Sequence, residues 1–132
     1  MTLAVAQTLE EFERPDPVAW KDVCAVEQIL PGTAVAALID GEQIAIVRPD
    51  RRQRLFALSN FDPFSQAFVI ARGIVGDKDG VLKIASPIYK QTFELSTGRC
   101  LDDDEVWLPT YPVRVVQGRV EIGRLPISRR AS

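Results

Sequence analysis

Apolar residues along this chain fall in short runs separated by turn signals, and in the later runs they alternate with polar residues. Trp20 to Val26, Val35 to Ile39, Glu42 to Val47 and Arg54 to Leu58 each read as a strand rich in β-branched or aromatic residues. Asp40-Gly41 separates two of these runs. Such a dipeptide supplies the two positive φ angles of a tight hairpin turn. Later, Val81 to Ala85 and Gln91 to Leu95 flank the break at Ser86-Pro87, after a turn at Asp77–Gly80. Near the end, Val113 and Val115 alternate with Arg114, and Val120 and Ile122 with Arg119 and Glu121, around Gln117-Gly118. That pattern predicts a second hairpin with one wet face.

The stretch 60–73 fits no strand period. Phe61, Phe64 and Phe68 are apolar there, but Pro63 interrupts any helix, so a loop with one helical turn over 65–69 is expected. Short strands with turn signals every eight to twelve residues predict an all-β sandwich or small barrel. Residues 1–17 read as an N-terminal arm, 18–125 as the single β domain and 126–132 as a flexible tail.

Composition narrows the chemistry. The chain has 132 residues, 46% of them apolar, enough for one domain with its own core. A net charge of −2 gives no reason to expect nucleic acid or an anionic membrane surface. No apolar run approaches the roughly 20 residues that cross a bilayer, and the first residues carry no basic stretch of a secretion signal. Together with two widely spaced cysteines, Cys24 and Cys100, this points to the cytoplasm with both thiols reduced. There is no histidine. Triads that use histidine as base, and histidine-ligated zinc or iron, are therefore excluded for this chain alone. The acidic run Asp102–Glu105 reads as a solvated loop, because consecutive carboxylates point apart rather than converge. Trp20 and Trp107 read as core or edge aromatics.

Two segments stand out, each following a strand: Leu58-Ser-Asn-Phe-Asp-Pro-Phe-Ser65 and Ile84-Ala-Ser-Pro-Ile-Tyr-Lys-Gln91, the second running into Thr92-Phe-Glu-Leu-Ser-Thr-Gly98. Their layout resembles the Rieske domain, in which two hairpin-tip loops of the forms Cys-Pro-His-x-Gly and Cys-Pro-Trp-His-Gly grip a [2Fe–2S] cluster. On that resemblance Asp62 and Ser86 stand at the cysteine positions, Phe64 and Tyr89 at the histidine positions, and Lys90 where a glycine is expected. Hard oxygens, a phenyl ring and a phenol do not replace thiolates and imidazoles.

The loops, together with Leu30–Leu38, Asp40–Ile46, Arg72–Asp77 and Cys100–Asp103, resemble the small subunit of assimilatory NAD(P)H-dependent nitrite reductase. The likeness covers roughly 20–122. It implies a Rieske-like β domain without a cluster, and with no catalytic, cofactor-binding or metal-binding residue of its own. It also implies a large partner subunit that carries FAD, an iron–sulfur cluster and sirohaem and reduces nitrite to ammonium. The tip residues Phe61, Asp62, Phe64, Ile88, Tyr89 and Lys90 are then candidates for docking on that subunit. Alternatively, Phe64 and Tyr89 fill the space a cluster would take. Two other functional readings stand beside docking: a stand-alone module binding a small ligand in the tip pocket, and a subunit lending residues to a partner's active site.

Overall fold

Strand β3 (Glu42–Arg48) is the wall between two hydrophobic cores. Its residues Ile44, Ala45, Ile46 and Val47 are all buried. Ile44 and Ile46 face one core, Ala45 and Val47 the other. A run of four apolar residues without polar alternation is what a strand covered on both faces requires. Fully burying a side chain such as Ile46 stabilises the fold by about 1.5–3 kcal/mol.

The structure is a computed structural model that describes residues 19–124. The expected N-terminal arm and C-terminal tail lie outside those residues. The architecture is all-β. β1 (Ala19–Ala25), β12 (Arg119–Arg124) and β11 (Val113–Val116) form one antiparallel sheet in the order β1-β12-β11. A second sheet has the order β10-β4-β3-β2, with β2 spanning Thr33–Ile39, β4 Phe56–Ser59 and β10 Thr110–Tyr111. Val26, Ile29, Ile39, Ile44, Ile46, Ala57, Val120 and Ile122 fill the space between these sheets. The third sheet, β7 (Ile74–Lys78), β8 (Val81–Ala85) and β9 (Thr92–Glu94), carries Ile84 and Phe93 into the second core, where Leu58, Ile70, Leu95, Cys100 and Leu108 join them.

The hairpin expected at Asp40-Gly41 is present, with φ of 52° and 83°, and β2 pairs with β3 from Thr33↔Arg48 to Ile39↔Glu42. The hairpin at Gln117-Gly118 follows the same rule, with φ of 50° and 77°. Its wet face is Arg114 and Arg119; Val120 and Ile122 are buried.

Several expectations are corrected. No helical turn occupies 65–69. Instead β5 (Phe61–Asp62) and β6 (Ala67–Phe68) make a two-stranded ribbon, and the turn of 3-10 helix comes at Ile70–Arg72. Gln66 is the reason: it takes a left-handed φ of 58°, which no right-handed helix can pass through. β7 was not visible as a strand, because Ile74-Val-Gly-Asp-Lys has one glycine and two charges in five residues. Lys78, expected in a turn, ends that strand, and only Asp79-Gly80 turns, with φ of 55° and 85°. β4 starts two residues later than expected, at Phe56. Trp20 lies half-buried in edge strand β1 with the Arg114 guanidinium 4.0 Å above its ring, and Trp107 is exposed at an edge bridge to Arg99. The acidic run is exposed, and Asp102 accepts bonds from the Thr92 amide and hydroxyl at 2.8 and 3.0 Å.

Arg48 is the unexpected member of the interior. Only 5% exposed, it donates to the carbonyls of Val26, Ile29, Arg51 and Arg52 at 3.0–3.3 Å. It thereby ties the turn after β1 and the loop after β3 to one point. Replacing it with methionine keeps bulk but orphans buried carbonyls, so Arg48→Met should lower unfolding free energy by about 2–3 kcal/mol in urea titration.

Candidate functional site at the paired loops

The first loop leaves β4 at Ser59 and runs through the β5–β6 ribbon; the second joins β8 to β9. Asn60 anchors the first. It is 2% exposed, and its amide and side-chain Nδ2 donate to the backbone oxygen and Oε1 of Gln43 at 2.9 and 3.1 Å. Its own Oδ1 and carbonyl receive the amides of Ala71 and Ile70. One buried amide side chain therefore holds both ends of the ribbon to β3.

Two residues on, Asp62 is wholly buried and closes a turn on itself. The Phe64 amide donates to Oδ1 at 2.9 Å, and the Gln66 amide donates to the Asp62 carbonyl at 2.7 Å. An aspartate followed by proline and, three residues on, by serine commonly makes such a side-chain-to-backbone turn. The Ser65 hydroxyl donates to Oδ2 at 2.8 Å. The remaining donor comes from the other loop: Ser86 Oγ reaches Asp62 Oδ2 at 2.5 Å. A hydroxyl that close to a carboxylate is a charge-assisted bond. Ser86 is itself 1% exposed, and its amide bonds the Gln91 carbonyl at 2.9 Å, which closes the second loop.

Burial pushes the Asp62 carboxyl upward. The bonds from Ser86, Ser65 and the amides of Phe64 and Ser65 outweigh it, and the net shift is downward. Among the described residues no lysine or arginine takes part. Hydroxyls and amides alone keep this carboxylate ionised out of water.

The other candidates separate. The Phe64 ring turns inward and packs 6.3 Å from Phe93, against the second core. Phe61 pairs with Phe68 at 5.1 Å. Ile88 and Tyr89 point outward, 44% and 62% exposed. Lys90 is exposed and adopts a φ of 66°, the conformation glycine takes without strain. Its backbone thus takes a conformation that suits the glycine expected there from the Rieske pattern.

This donor set does not suit a [2Fe–2S] cluster. Asp62 and Ser86 offer hard oxygens already bonded to each other, at a separation that leaves no space for iron between them. Phe64 is committed to the core, and Tyr89 faces solvent. Cys100 is buried in the second core and Cys24 packs half-buried against the first; both lie outside the two loops and are free thiols. Among the described residues no group of three or more Cys, Asp and Glu side chains converges as a metal site, and no helix is long and apolar enough to cross a membrane.

Sequence reasoning missed Asn60, Ser65 and the outward-facing Phe68. Asp62-Pro-Phe-Ser65 carried a readable signal for the turn; the partners of Asn60 did not, because Gln43 is 17 residues away.

The chain is similar to known proteins over this whole region. The model of a Rieske-like [2Fe-2S] domain family matches residues 19–123. The nitrite reductase (NADH) small subunit of Salmonella typhimurium is 45% identical over 103 residues, 78% of this chain and 95% of that protein. The crystal structure of a protein described as an NADH-dependent nitrite reductase small subunit, from Mycobacterium tuberculosis, superposes with a TM-score of 0.78 at 44% identity, covering 82% of this chain and 96% of that one. A nitrite reductase [NAD(P)H] large subunit from Klebsiella oxytoca is 34% identical over 112 residues, which are 85% of this chain but 12% of that protein.

Two outcomes follow. Because the folded Asp62 carboxyl is held low, its stabilisation is complete above about pH 4, the ordinary carboxyl range, and is lost as pH falls through the lower folded value. Asp62→Asn should therefore cost about 2 kcal/mol at pH 7, and the gap from wild type should close in acid when urea midpoints are compared. Lys90→Gly should be as stable as wild type or up to about 1 kcal/mol more stable, since glycine loses the left-handed strain but has a freer unfolded chain, whereas Lys90→Val, β-branched and forced into a left-handed φ, should lower the melting temperature by several degrees, equivalent to about 1–2 kcal/mol.

Proposed function

Because the chain belongs to the small-subunit family of NADH-dependent nitrite reductases, within the Rieske-like domains, we propose that it is the cluster-free small subunit of a cytoplasmic NAD(P)H-dependent nitrite reductase. It docks on a large subunit that carries FAD, an iron–sulfur cluster and sirohaem and reduces nitrite to ammonium. This chain supplies no redox centre. Its contribution is a rigid tip.

The observation that carries the reading is the fate of the two grip positions. Where a Rieske loop pair meets across a cluster, these loops meet across the Asp62–Ser86 hydrogen bond. A carboxylate–hydroxyl bond keeps the loops together but transfers no electrons, so what is preserved is shape. The shape presents Ile88 and Tyr89 outward, with Lys90 beside them. Large apolar and aromatic side chains on a held loop are what the centre of an interface needs. The Klebsiella relative supports the choice of partner, because there a segment like this chain is part of a protein named as the large subunit.

Expression of the large subunit with and without this chain tests the proposal. NADH-dependent nitrite loss and sirohaem content should both be higher with it. Ile88→Asp, which leaves both cores intact, should weaken recovery of the complex about tenfold, or 1.4 kcal/mol. An isolated chain that emerged brown, with stoichiometric iron and sulfide, would overturn the cluster-free reading.

A further inference from the structure

A second exposed apolar surface lies beside the tip, on the β2–β3 hairpin side of the first loop. Leu38 near the end of β2 is 72% exposed, and Phe68 in β6 is 53% exposed. Both line one cleft of about 350 Å³, together with Gly41, Glu42, Ser59 and Tyr111. Phe61 backs Phe68 as its cross-strand partner, ring to ring at 5.1 Å. Fully burying such a side chain is worth about 1.5–3 kcal/mol, so two left largely in water forgo a substantial part of that. Leu38 pairs with Gln43, and Gln43 is the residue whose backbone and side-chain oxygens hold Asn60. Asn60 in turn immediately precedes Phe61. The shelf and the Asp62–Ser86 tip are therefore one preorganised body, and preorganisation lowers the ordering cost of association.

We propose that Leu38, Phe68 and Phe61 form a second contact for the large subunit; this rests on the function proposed above. Glu42, the one ionisable acid lining the cleft, is held there by the Tyr111 hydroxyl at 2.8 Å. The chemistry that fits is an apolar side chain from the large subunit entering beside Leu38 and Phe68. The large subunit is favoured over a second copy of this chain by the Klebsiella relative, in which a segment with 34% identity over 112 residues has that subunit as its permanent covalent neighbour.

The test is co-expression of a tagged large subunit with the full-length chain. The arms are wild type, Leu38→Asp, Phe68→Asp and Leu30→Asp. Leu30 is 66% exposed but lies before the other end of β2, so it controls for adding a charge to an exposed leucine. Wild type and Leu30→Asp should co-purify equally. Leu38→Asp and Phe68→Asp should fall about tenfold or more in recovery, with circular dichroism and melting temperature close to wild type. Should Phe68→Asp disturb the ribbon, Leu38→Asp decides alone, because its side chain is mostly in solvent. Recovery of Leu38→Asp equal to wild type overturns the shelf. So does light scattering that shows wild type as a dimer which Leu38→Asp dissociates without loss of large-subunit binding. If wild type itself does not co-purify, the function proposed above fails instead.

Discussion

Asp62 lies out of water with hydrogen bonds from two hydroxyls and a backbone amide, and the meeting of the two loops depends on it. A buried carboxylate without a cation would normally take up a proton, because desolvation disfavours its charge. Here donors fixed by the turn around Pro63 offset that penalty. The last donor, Ser86, belongs to the opposite loop, so stabilising the charge and joining the loops are the same event. A metal cluster would do the second task through four strong ligand bonds. The carboxylate does it through one short hydrogen bond, with the surrounding cores supplying the stiffness that a cluster would otherwise add.

That stiffness traces back to β3. A strand buried on both faces fixes the first sandwich through Ile44 and Ile46 and the second core through Ala45 and Val47. Phe93, in the middle of β9 and fully buried in the second core, receives the ring of Phe64 from the first loop. Of the tip residues, Phe64 packs inward against Phe93, while Ile88 and Tyr89 face outward. The division follows from chain geometry. Phe64 sits inside the turn that Asp62 closes, whereas Ile88 and Tyr89 follow Pro87 at the apex of a loop whose base is tied by Ser86 and Gln91.

Lys90 shows the same persistence of form. Its backbone stays left-handed, at a local cost of roughly 1–2 kcal/mol for a residue with a Cβ. The loop shape is thus maintained against a local preference.

The sequence alone determined the fold class, two of the hairpins and the pair of loops. Those depend on local chemistry: alternation along strands, Asp-Gly and Gln-Gly at positions needing positive φ, and prolines that stop regular structure. It also showed that the residues at the grip are unsuited to iron, since ligand chemistry belongs to residue type. Only the tertiary structure decided that Asp62 and Ser86 bond to each other across 24 residues, that Arg48 is an interior residue, and that Leu38 is exposed while its neighbour Ile39 is buried. Residues 34–39 are apolar without a break, so their pattern marks no wet face. Which side of such a strand meets water is set by the sheet packed against it, and that is a property of the assembled chain.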